Sequence, residues 1–83
     1  MTASKKKRHQ VLPHRKIIGD AIRSYRGKAN LTQEKLAELV DLNSKYIGEV
    51  ERGEKIISIE ALLRIARAVK VPIQEFFRDI VQP

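Results

Sequence analysis

The sequence has 83 residues, 42% of them hydrophobic, no cysteine, and a formal net charge of +7. That length holds one small domain and excludes a separate sensor or catalytic domain. The missing cysteines exclude disulfides and thiolate metal sites and point to a reducing cytoplasm. No apolar run approaches the roughly 20 residues of a membrane span, and the N-terminal stretch lacks the apolar core of a signal peptide, so no membrane partner is expected.

The charge is unevenly spread. Residues 1–16 carry Lys5, Lys6, Lys7, Arg8, Arg15 and Lys16 and no acid, whereas residues 17–83 hold 11 bases against 10 acids. Residues 1–12 therefore read as a flexible basic arm suited to a polyanion, and residues 13–83 as a nearly neutral globular domain. The cluster Lys5 to Arg8 also fits a localisation signal or a solvated tail.

Beyond Pro13 the patterning is helical throughout. Ile17, Ile18, Ala21, Ile22 and Tyr25 form one apolar stripe of a first helix, at about 14–28. Thr32 is an N-cap candidate for a short second helix carrying Leu36, Ala37, Leu39 and Val40. Asn43 is suited to cap a third helix at about 44–52, which buries Ile47 and Val50 and which Gly53 stops. Ser58 caps a fourth helix striped by Ile59, Leu62, Leu63, Ala66 and Val69. Pro72 opens a fifth with Ile73, Phe76, Phe77 and Ile80. The expectation is an all-α, compact five-helix domain.

Helices two and three are separated by only three residues. So short a link forces a steep crossing, with Ala37 at the closest approach and Leu36, Val40, Leu42, Ile47 and Val50 in a shared core. The second helix of such a rigid pair protrudes, and an α-helix fits the major groove of B-DNA.

The runs Leu-Thr-Gln-Glu-Lys-Leu-Ala at 31–37, Tyr-Ile-Gly-Glu-Val-Glu-Arg-Gly at 46–53 and Ser-Ile-Glu-Ala-Leu-Leu-Arg-Ile-Ala at 58–66 resemble the Cro/lambda-repressor-like (XRE-type) helix-turn-helix family over about residues 15–80. Within it, Glu-Val-Glu-Arg-Gly followed by Ile-Ser at 57–58 looks most like small stand-alone regulators such as restriction–modification controller proteins. Asp41 departs from the glycine usual in the family's turn; aspartate tolerates the left-handed region, so the same fold is expected at a small cost in stability. The resemblance implies a sequence-specific regulator of transcription that binds a double-stranded DNA operator.

Ser44, Lys45 and Glu49 lie on the face of helix three opposite Ile47 and Val50 and are the base-reading candidates. Lys45 can donate to guanine, Glu49 can accept from the cytosine amino group, and Ser44 can pair with several base edges. Lys45 and Glu49 also satisfy an ordinary i,i+4 surface pair. The resemblance gives Gln33 a phosphate contact that braces helix three. Asn43, Arg52 and Lys55 are further DNA-backbone candidates, and Tyr46 either bonds a phosphate or packs on helix two. Gly48 is small for close approach to the groove floor or merely tolerated. Arg26 and Glu51 match a family ion pair between helix one and the end of helix three, so Glu51 is read as structural. Segment 32–55 holds four bases against six acids; either the arm supplies much of the attraction to DNA or Glu34, Glu38 and Glu54 point away.

An enzyme is not expected. His9 and His14 lie in or beside the arm, no carboxylate pair sits in a cleft pattern, and the glycines form no phosphate loop, so no cofactor, metal or small-molecule ligand is expected either. The competing class is an antitoxin or protein-interaction adaptor on the same fold, against which the open, polar face Ser44, Lys45, Gly48 and Glu49 speaks. A symmetric homodimer is expected, because one such helix contacts only a few base pairs. Its interface is assigned to Ile57, Val81 and one of Phe76 and Phe77, the other phenylalanine entering the core. The alternative is that all four pack within one subunit.

Overall fold

The computed structural model describes residues 13–80, so the basic arm and Val81 lie outside the described residues. Four α-helices follow in chain order: α1 (Pro13–Lys28), α2 (Gln33–Val40), α3 (Ser44–Glu51) and α4 (Ile59–Val69). Pro13 opens α1, where its missing N–H costs nothing because the first helical N–H groups have no intrahelical partner. The helix buries Ile18, Gly19 and Ile22, with Ile17, Ala21 and Tyr25 half-buried beside them.

Each of the next three helices starts at a side-chain cap. The Thr32 hydroxyl accepts from the Lys35 N–H at 3.0 Å, the Asn43 carbonyl oxygen from the Lys45 N–H at 2.7 Å, and the Ser58 hydroxyl from the Ala61 N–H at 3.1 Å. The ends are equally local. Asp41 (φ 58°) and Lys70 (φ 61°) take the left-handed conformation, and the residue after each bonds back to Ala37 and Ala66 respectively. Asp41 thus does in the turn what glycine commonly does.

The fifth element is a correction. Residues after Pro72 form a five-residue 3-10 helix, Ile73–Phe77, in place of the expected fifth α-helix. No side chain caps it, and the Glu75 N–H reaches only back to the Pro72 carbonyl at 3.0 Å. Over so short a run the tighter winding is tolerated, and it turns Phe76 wholly inward.

The helices enclose one core. Ile18 and Ile22 of α1, Leu36, Ala37 and Val40 of α2, Ile47 and Val50 of α3, the inner face of α4 and Phe76 are all buried in it. Tyr25 meets Phe76 edge-on, with ring centroids 5.2 Å apart. α1 packs chiefly on α3 and the 3-10 helix, and α2 on α3 and α4. Among the described residues no helix is long and apolar enough to cross a membrane.

The α1–α3 contact depends on one missing side chain. A Cβ on Gly19 would strike the Val50 carbonyl oxygen and come within 2.7 Å of that of Glu51, both backbone atoms that cannot swing aside. Gly27, near the end of the same helix, has open space around it. Gly19→Ala is expected to destabilise the fold by about 1–3 kcal/mol, whereas Gly27→Ala should stabilise it by up to about 1 kcal/mol. Thermal unfolding of the two variants checks both; equal midpoints would remove the close approach from the account.

Candidate nucleic-acid interface

Residues 41–43 turn the chain between α2 and α3 through the left-handed Asp41 and the capping Asn43. Because both ends of the link are fixed by local hydrogen bonds, α3 leaves α2 at a set angle. On α3, Ile47, Val50 and Glu51 point inward, Lys45 is exposed, and Ser44, Tyr46 and Glu49 are half-exposed.

Glu51 is the one charged group in the interior of the described residues, 1% exposed. Two Arg26 nitrogens donate to its carboxylate, at 2.6 and 3.0 Å, and the Gln33 amide adds a third bond at 2.9 Å. Arg26 also donates to the Leu31 carbonyl at 2.8 Å. The hydrogen bonds to Glu51 hold the Arg26 guanidinium above its ordinary value, so the arginine stays charged. Gln33 braces α3 through Glu51. Gly48, read from sequence as open to the groove or merely tolerated, is buried. A Cβ there would meet Arg52 Nη1 at 3.1 Å and Gln33 Oε1 at 3.5 Å, so the glycine leaves room for both tips.

The remaining candidates separate into two groups. Asn43, Lys45, Tyr46, Glu49 and Lys55 line one shallow concavity on the outer side of α3, while Ser44, Gln33 and Arg52 lie outside it. Glu49 pairs with Lys55 at 3.3 Å and not with Lys45. Lys45 carries no ion pair among the described residues. The Tyr46 hydroxyl accepts the Ser58 N–H at 3.3 Å, tying α3 to the start of α4 and leaving its own proton to donate. Arg52 is exposed and is held by Glu54 through two bonds, at 2.9 and 3.1 Å. Glu54 therefore stays beside Arg52. Glu38 is paired with Lys35 on α2. Sequence reasoning missed the Glu54 partnership. The spacing i,i+2 is not a helical pairing, and only the turn around Gly53 (φ 77°) brings the two side chains together.

One interface assignment is corrected: Ile57 is 6% exposed, inside the chain's own core, and offers no surface to a second subunit. Its neighbour Ile56 is exposed instead. Of the two phenylalanines, Phe76 (0%) is the one that enters the core, and the 3-10 winding turns Phe76 in and Phe77 out at 36%. Ile59 (63%) and Leu63, read as part of the inward stripe of α4, are also exposed.

The buried ion pair generates a stability prediction. Arg26→Ala would leave the Glu51 carboxylate in the interior with a single amide donor, at an expected cost of about 3 kcal/mol. Chemical denaturation would read this as a lower midpoint; a midpoint equal to that of the parent would show that the pair does not hold the helices together.

The family model described as helix-turn-helix matches residues 22–76. The chain is 39% identical over 59 residues to control protein C.SmaI of Serratia marcescens, covering 71% of this chain and 70% of that protein. It is 38% identical over 58 residues to control protein C.BamHI of Bacillus amyloliquefaciens, covering 69% and 72%. Among solved structures it is similar to the restriction-modification controller protein C.AhdI from Aeromonas hydrophila, with a TM-score of 0.73 at 35% identity, covering 76% of this chain and 96% of that one. The chain belongs to the helix-turn-helix family, a family of DNA-binding transcriptional regulators and not of enzymes.

Proposed function

We propose that this chain regulates transcription in the cytoplasm by binding a specific duplex DNA operator as a symmetric homodimer, with α2 and α3 as the helix-turn-helix and α3 in the major groove. The observation that carries the reading is the rigid α2–α3 pair. Its second helix is anchored from behind through Glu51 and offers Ser44, Lys45 and Glu49 outward. In this reading Lys45 donates to guanine O6 or N7 and Glu49 accepts from the cytosine amino group. Gln33, Asn43, Tyr46, Arg52 and Lys55 engage phosphates around them. The similarity to restriction–modification control proteins supports the same reading.

Dimerisation supplies the second half of the operator contacts. Ile56 before α4, Ile59 and Leu63 in its first turns, and Phe77 are exposed and offer the apolar side chains that the buried Ile57 and Phe76 do not.

Two substitutions test the groove reading because they should differ in kind. Lys45→Ala should relax sequence preference at a cost of about 1–3 kcal/mol on the best site, while Arg52→Ala should weaken all duplexes alike. Binding titrations against a selected and a scrambled duplex measure both; an unchanged selectivity ratio in Lys45→Ala would remove it from base reading. For the dimer, Ile59→Asp with Leu63→Asp should halve the mass in analytical ultracentrifugation at micromolar concentration, and the selected site should be palindromic. A parent that sediments as a monomer and selects a single half-site would overturn the dimer.

A further inference from the structure

Resting on the DNA-binding reading above, the geometry points to Glu54 as an intramolecular competitor for phosphate, one that occupies Arg52 in the free protein and sets how tightly the domain holds any duplex. Both cations after the tip of α3 are engaged by carboxylates: Arg52 by Glu54 through two bonds of 2.9 and 3.1 Å, and Lys55 by Glu49 at 3.3 Å. The two carboxylates have different prospects on DNA. Glu49 half-faces the concavity on α3 with Lys45, where a base amino group can replace the lysine it gives up. Glu54 sits in the exposed turn beyond α3, and when a phosphate takes Arg52 no other cation is paired with it among the described residues.

The exchange has a definite electrostatic consequence. A phosphate that reaches Arg52 displaces one anion with another, and the freed Glu54 is left beside the DNA backbone with like charge. The hydrogen bonds from Arg52, helped by its charge, hold the Glu54 carboxyl below the ordinary carboxylate range, so the competing charge is present at neutral pH. Arg52 therefore contributes less to affinity than an unpaired arginine at the same place. The counterion balance changes too: the freed carboxylate gathers a cation as the phosphate releases one, which offsets that contact's share of the salt dependence. In a segment 32–55 that carries four bases and six acids, the competition lowers general attraction to any duplex and leaves the ratio between sequences unchanged.

The test measures binding of four variants to a duplex selected from a random pool and to a scrambled duplex of equal length, across a salt series. Glu54→Gln keeps the shape and removes the charge; the pair is exposed, so the thermal midpoint should stay at that of the parent. It should bind both duplexes about two- to fivefold more tightly. Its salt slope should steepen by up to about 0.9. In the Arg52→Ala background the same Glu54→Gln change should give no gain, because the competition acts through Arg52. Glu60→Gln is the control, removing an exposed, ion-paired carboxylate on α4; it should bind as the parent does. No tightening by Glu54→Gln would overturn the proposal. So would an equal gain with and without Arg52, or an equal gain from Glu60→Gln, since either result is general charge repulsion. Failure of every form, parent included, to bind any duplex from the pool would overturn the DNA-binding reading itself and the proposal with it.

Discussion

The carboxylate of Glu51 is buried at the meeting point of three helices, and its need for partners fixes how those helices stand. An ionised carboxylate taken out of water costs several kcal/mol unless hydrogen bonds replace its hydration. Here the replacements come from Arg26 on α1 and Gln33 on α2, while Glu51 itself ends α3. Any rotation of α3 about its axis would break two or three of these bonds at once. The close approach of Gly19 to the backbone of Val50 and Glu51 locks the same place sterically. An apolar contact in that position would tolerate sliding; a directional set of charge-assisted bonds does not.

What this anchoring delivers is a fixed outer face of α3. With Ile47, Val50 and Glu51 committed inward, Lys45 and the half-exposed Ser44 and Glu49 have their directions set by the core on the opposite side. The Tyr46 hydroxyl extends the rigid frame to the first turn of α4 through the Ser58 N–H. Fewer rotamers and hinge motions then remain to be ordered on meeting a partner, which is how a small domain keeps more of its contact energy as affinity.

The surface around that face is electrostatically restrained. Among its cations only Lys45 is without an internal carboxylate partner among the described residues; Arg52 and Lys55 are each engaged. Surface pairs of this sort add little to folding. Their larger effect is on what a competing anion must displace, so a loop that contributes almost nothing to the core still shapes the interface.

Much of this molecule is written in local rules that the sequence states by itself. Thr32, Asn43 and Ser58 cap helices because a side-chain oxygen reaches an N–H two or three residues on, whatever lies elsewhere in the chain. The stripes of α1 and α2 and the stop at Gly53 follow from period and backbone conformation in the same way. Tertiary structure alone decided which of two adjacent apolar residues is buried: Ile57 over Ile56, and Phe76 over Phe77. The choice depends on the turn and the 3-10 winding that deliver each pair to the core. It alone decided that Gln33 bonds Glu51, that Glu49 pairs with Lys55 and that Glu54 closes on Arg52. Capping is set by neighbours along the chain, within one turn of helix. The partner of a long charged side chain is set by neighbours in space, and those exist only once the helices have packed.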